Sequence, residues 1–138
     1  MPADTYQSRT LPQVVADAAA RYSERLAITD GEVSLTYAGL YEASQQASRA
    51  FVVAGLAPGD RIAIWAPNVY QWIIAAIGAQ SVGGVLVPLN TRLKGAEAAY
   101  ILNTSGARLL FTVGEFLGVS YPEQLRGSNL PALEQTIL

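Results

Sequence analysis

The chain of 138 residues contains no histidine and no cysteine. Their absence excludes Ser-His-Asp and Cys-His nucleophilic arrangements and the usual zinc ligand sets. It fits a reducing compartment without requiring one. Charge is also scarce, at 14% of residues against about 25% in an average soluble domain, while 51% are hydrophobic. A free-standing domain of this size needs more polar surface, so apolar faces are expected to meet another protein layer, in a longer chain or an oligomer. The nine basic residues are scattered and the net charge is −2, which leaves no basic stripe for nucleic acid. The first residues, "MPADTYQSRTLPQ", lack the apolar core of a signal peptide. The longest apolar stretch, Val69 to Ala79, is interrupted by Gln71 and falls short of the ~20 residues of a membrane span. A cytoplasmic protein with no transmembrane segment is the expectation.

Nucleotide loops are missing too. No G-x-G-x-x-G follows the strand-like run 61–66, and no G-x-x-x-x-G-K-[ST] occurs. The eleven acidic residues show no metal-ligand or acid/base clustering along the chain, and read as solvated surface.

What is present has clear periodicity. Thr10, with Pro12 behind it, predicts a helix cap and a helix to about Tyr22. "LAITD", a Gly31-Glu32 turn and "VSLTY" predict a hairpin over 26–37. Thr36 is placed to cap a second helix, whose Tyr37, Leu40, Tyr41, Ser44, Ala47, Phe51 and Ala54 recur at three- and four-residue spacing. Gly55 stops it. "RIAIWA" (61–66), "VLVPL" (85–89) and "RLLFTV" (108–113) then read as strands covered on both faces, separated by helices over 69–82 and 95–104. That order predicts a parallel β-α-β-α-β unit with right-handed crossovers, so the fold class is α/β. The helix over 69–82 is apolar nearly all round, which implies burial from more than one direction. Beyond Gly118 the chain reads as irregular, with at most one helical turn.

The stretch "AIWAPNVYQW" (63–72) is a strand-to-helix corner, where α/β sheets hold ligands. Without glycines it reads first as scaffold: Pro67 sets a rigid entry, Asn68 is the expected N-cap, and Trp72 packs against a neighbouring layer. Gly83-Gly84 reads as a helix end, and Gly106 as a C-cap. Arg92 and Lys94, the one lysine, lie at the carboxyl-end edge of the sheet. They read as solvated loop charges, with an anion contact as the second reading.

Taken in order, "LTY" (35–37), "GLAPGDRIAIWAPN" (55–68), Trp72, "GGVLVPLN" (83–90) and "ILNTSGARLLFT" (101–112) resemble the N-terminal part of the adenylate-forming (AMP-binding) superfamily. "VPLNTRL" (87–93) is most similar to its acyl-CoA synthetase and fatty-acid-CoA ligase branch. The resemblance covers roughly residues 10 to 113. It implies a tail over 1–9, a partial AMP-binding domain over 10–113 that belongs to the first, N-terminal subdomain of an acyl-CoA synthetase-like fold, and an irregular connection over 114–138. It further implies a parent enzyme that uses ATP, Mg²⁺ and CoA to convert a carboxylate, fatty or related to lipids, into acyl-CoA with release of AMP and pyrophosphate. The family's Ser/Thr/Gly-rich phosphate loop, Thr-Glu pair, ribose-binding Asp and C-terminal lysine have no counterpart here. Lys94 does not match that lysine. No catalytic, cofactor-binding or metal residue is therefore assigned, and an inactive N-terminal fragment is expected. Its expected partners are the downstream domains of the same chain and a homodimer mate. A stand-alone α/β binding or dimerisation module built on this scaffold remains the alternative.

Overall fold

In the computed structural model, which describes residues 9–138, Thr10 starts the first element as its sequence context predicts. Its hydroxyl accepts from the Gln13 N–H while the Gln13 side chain accepts from the Thr10 N–H at 2.8 Å, closing a capping box on α1 (Leu11–Arg21). The expected tail over 1–9 lies, Arg9 apart, outside the described residues. β1 (Leu26–Asp30) and β2 (Val33–Thr36) pair antiparallel around Gly31-Glu32, where Gly31 takes a φ of +58°. Thr36 Oγ1 then accepts from the Gly39 N–H and opens α2 (Tyr37–Val53), which ends just before Gly55.

The predicted alternating unit follows as β3 (Arg61–Trp65), α3 (Tyr70–Ser81), β4 (Val85–Pro88), α4 (Gly95–Ser105) and β5 (Leu109–Thr112). β3 is central and parallel to both neighbours, with Ile62 opposite Leu86 on one side and Leu109 on the other. Its side chains alternate between two cores. Ile62 and Ile64 join Phe51, Ala75, Ala79 and Leu109 on the face covered by α2 and α3. Ala63 and Trp65 join Ala98, Leu102, Leu110 and Leu125 on the face covered by α4. β3 and β5 are buried on both faces as their apolar runs predicted; β4, at the edge of the sheet, is not, with Val85 48% exposed.

The C-terminal stretch differs from its expectation. β6 (Glu115–Phe116) and β7 (Val119–Ser120) form a minimal hairpin, and α5 (Tyr121–Gln124) supplies the single helical turn. β8 (Gln135–Ile137) then pairs parallel with β5, Leu110 opposite Thr136, giving the sheet order β4-β3-β5-β8. A three-residue strand with one apolar side chain carries no readable periodicity. Its place is fixed from outside, by Glu134 N–H donating to the Arg108 carbonyl at 2.8 Å.

α3 is buried at five consecutive positions, Ala75 to Ala79. The covering layers belong to this chain: the sheet on one side and α2 on the other, where Gly78 lies against Ala47 and Ser48 Oγ donates to the Gly78 carbonyl at 3.0 Å. On α3 itself Ile73 stays exposed, and other apolar side chains left in solvent include Val53 at 88% exposure, Leu117 at 85% and Val52 at 56%.

Candidate functional site

β3 sends its helix over one face of the sheet and its neighbour β4 sends its helix over the other. Two adjacent strands whose connections part in this way leave a crevice beyond their carboxyl ends, the switch point at which open α/β sheets bind ligands. A cavity of about 660 Å³ occupies that place. Ala66, Pro67, Asn68 and Trp72 form one wall, Pro88 to Arg92 the other, and Phe116 of β6 closes a side.

The first wall is the corner "AIWAPNVYQW". Asn68 was the expected N-cap, and the structure corrects this: Val69 occupies the cap position and no side chain from it or Asn68 caps the helix. The Tyr70 N–H instead donates to Asp30 Oδ2 of the hairpin at 3.0 Å. A carboxylate satisfies this terminus better than a carboxamide because its charge also meets the positive end of the helix dipole. Asn68 is thereby left exposed on the cavity wall. Trp72 is half-buried and does pack against the core around Ile62 and Ile64. Its remaining surface separates the crevice from a second cavity of about 350 Å³, bounded by Ile28, Asp30, Tyr70 and Ile73.

The second wall is the loop after β4. The Trp65 indole, wholly buried, donates through Nε1 to the Asn90 carbonyl at 3.1 Å. Its ring lies 4.5 Å, centroid to centroid, from that of Tyr121. The Tyr121 hydroxyl donates to the Thr91 carbonyl at 3.3 Å, and burial raises its pKa above the ordinary value, so it stays a protonated donor. Asn90 Oδ1 accepts from the Arg92 N–H at 2.9 Å, a local Asx turn. Arg92 is exposed, lines the cavity, and enters no ion pair among the described residues. Lys94 stands apart at the start of α4, where its N–H donates to the Glu97 carboxylate at 2.7 Å. Of the two cations that the sequence placed at this edge, only Arg92 lines the crevice. Gly106 ends α4 in the left-handed conformation, φ +67°, as read. Gly83 turns at φ +83° against Pro58.

Tyr121 and Asp30 are the residues that sequence reasoning missed. Neither has a local signal, since each acts across 30 or 40 residues. Chemically the crevice offers one guanidinium, two carboxamides and an indole, a set suited to an anion beside a planar or apolar group. Among the described residues no three His, Cys, Asp or Glu side chains gather as a metal-ligand group. No helix of the described residues is long and apolar enough to cross a membrane.

This is the arrangement of an open, doubly covered α/β sheet with a switch-point crevice. The chain belongs to the AMP-binding enzyme family, whose model matches residues 15–136. It is 37% identical over 125 residues to a 3-[(3aS,4S,7aS)-7a-methyl-1,5-dioxo-octahydro-1H-inden-4-yl]propanoyl:CoA ligase of Rhodococcus jostii (strain RHA1), covering 91% of this chain and 24% of that protein. It is 31% identical over 121 residues to the human mitochondrial medium-chain acyl-CoA ligase ACSF2, covering 86% of this chain and 20% of the relative. Among solved structures, the inhibitor-bound N-terminal domain of FACL13 from Mycobacterium tuberculosis superposes with a TM-score of 0.87 at 24% identity, over 94% of this chain and 33% of that one; this likeness shows the fold. The chain spans about a quarter of the length of the curated relatives it matches.

Proposed function

We propose that the chain is the N-terminal portion of an ATP-dependent acyl-CoA ligase, which joins a carboxylic acid to CoA through an acyl-adenylate. The observation that carries this reading is its 37% identity, over 91% of its length, to a CoA ligase of which it represents only 24%. The acids named for the relatives are a fused-ring propanoate and medium-chain acyl groups, so the substrate is read as a fatty or related lipid acid with an apolar body. ATP, Mg²⁺ and CoA belong to the whole enzyme. Residues 1–138 supply scaffold and one wall set of a ligand crevice, where Arg92 meets an anionic group. They supply no nucleophile, base or phosphate loop, and we read them as inactive in isolation. The remaining polypeptide of the enzyme is the partner, covering apolar surface such as that around Val52 and Val53.

Carboxylate-dependent ATP–pyrophosphate exchange tests this. The isolated chain should show none, and robust turnover would overturn the inactivity. A chimera in which residues 1–138 replace the aligned segment of the Rhodococcus ligase should recover exchange with that enzyme's acid. A folded chimera without exchange would count against the ligase assignment.

A further inference from the structure

The loop Asn90-Thr91-Arg92 follows an edge strand, and such a loop with no anchoring would sample many conformations. Here two successive carbonyls are gripped from beneath. Trp65 Nε1 holds the Asn90 carbonyl and the Tyr121 hydroxyl holds the Thr91 carbonyl. The two donors come from different parts of the chain and their rings lie against each other, tilted by 43°, within the core. A third contact supports them: α5 approaches the start of α4 so closely that a Cβ on Gly95 would collide with the Gln124 carbonyl. That approach carries Tyr121 under the loop.

We propose that the Trp65–Tyr121 pair is the positioning device of the crevice and that Tyr121 is its positioning residue, holding the loop so that Arg92 is presented to an anionic group of the ligand already ordered. The proposal rests on the reading of the crevice as a ligand site. The aromatic ring of Tyr121, 2% exposed, would fill the core equally well as phenylalanine. The hydroxyl is not needed for packing, and the bond it makes goes to the crevice loop alone. With the loop prefixed, ligand binding loses less conformational freedom there, which is the general advantage of preorganisation. Trp65 performs the same task one residue earlier, so the two bonds hold two successive peptide groups, Asn90–Thr91 and Thr91–Arg92, the second of which carries the Arg92 amide.

The test is amide hydrogen exchange and ¹H–¹⁵N NMR on the 138-residue chain, with Tyr121→Phe and Trp65→Phe compared with the parent sequence. Loss of the hydroxyl should raise exchange at the Arg92 amide roughly five- to tenfold, as expected for one hydrogen bond, while amides of the central strand keep their protection. Titration with inorganic pyrophosphate, and separately with decanoate, distinguishes a phosphate from a carboxylate as the anion. Whichever probe shifts the Arg92 and Asn68 amides should bind the Tyr121→Phe chain more weakly, and binding should vanish in Arg92→Ala. Unchanged Arg92 exchange in Tyr121→Phe, with the fold intact, overturns the positioning role. Should Tyr121→Phe unfold the chain, the ring pair is a core element and Trp65→Phe alone decides whether the loop is held from below. Absence of any probe shift at the crevice in the parent chain overturns the ligand reading instead, and the exchange comparison still decides the role of Tyr121.

Discussion

The Asp30 carboxylate accepts a hydrogen bond from the Tyr70 N–H at 3.0 Å, so the N-terminal hairpin caps a helix that begins 40 residues later. The hairpin and the parallel sheet share no strand pairing, and this bond ties the hairpin to α3, which covers one face of that sheet. It also fixes the end of the corner that forms one crevice wall.

Asp30→Ala should therefore destabilise the chain by about 0.5–2 kcal/mol, the usual range for losing a helix N-cap. Asp30→Asn keeps an acceptor and loses only the charge against the helix dipole, so its effect should be smaller. Urea unfolding midpoints at equal m-value check both. Equal midpoints for all three chains would show that solvent replaces the cap without loss.

The layered unit from Arg61 to Thr112 was legible because three apolar runs and two helices with terminal glycines leave few alternatives. Thr10, Thr36, Gly55 and Gly106 each act within four residues of themselves, so their roles could be read directly. The AMP-binding family was legible from motifs in order. What escaped was long-range. Asn68 was the locally sensible cap, and only the folded position of Asp30 displaces it. β8 has three residues and is recruited by Arg108. Tyr121 sits in a four-residue helix that no periodicity can reveal. That α2 is one of the covers of α3 depends on Gly78, whose lack of a side chain admits Ala47 and the Ser44 carbonyl.

Gly78 and Gly95 are required for close approach rather than for backbone freedom. A Cβ at Gly78 would lie 2.7 Å from Ala47 Cβ, and one at Gly95 would meet the Gln124 carbonyl. Gly78→Ala and Gly95→Ala should each cost about 1–3 kcal/mol, the range of overpacking in a dense core. Gly114→Ala, with open space and no left-handed φ, should be close to neutral. Thermal melts of the three variants give the comparison. A neutral Gly95→Ala would mean that α5 moves away readily, and would weaken its role under the crevice loop.

Arg108 joins the starts of three strands. Its Nε and Nη2 donate to the Glu134 carboxylate at 3.0 and 2.7 Å, and Nη1 pairs with Asp60. The hydrogen bond from Arg108 lowers the pKa of Glu134 below its ordinary 4.5. A depressed carboxylate pKa stabilises the folded state fully above the unfolded value, and the contribution is lost as pH falls through the folded one. Protection of the β8 amides should thus hold above pH 4.5 and decline below it, and 1 M salt should weaken it because the pair is exposed to solvent. In Glu134→Gln the β8 amides should be less protected at neutral pH, with little further change on acidification. Identical pH profiles for the two chains would show that β8 is held by its backbone pairing alone.

The face over β5 and β8 retains an apolar groove of about 250 Å³, bounded by Phe51, Ile74, Phe111 and Ile137. Neighbouring α2 ends in the exposed pair Val52 and Val53. A contiguous apolar surface of this kind binds hydrophobic dyes when nothing covers it. The isolated chain should enhance the fluorescence of an anilinonaphthalene sulfonate dye at neutral pH while its near-ultraviolet circular dichroism stays that of a packed protein. Ile137→Lys places a charge in the groove and should reduce the enhancement. Val53→Lys, at 88% exposure, should reduce association with little effect on stability. In a chimera carrying the rest of a ligase, the groove should be covered and the enhancement lost. Persistent dye binding in an active chimera would mean that the remaining polypeptide of the ligase leaves this face open.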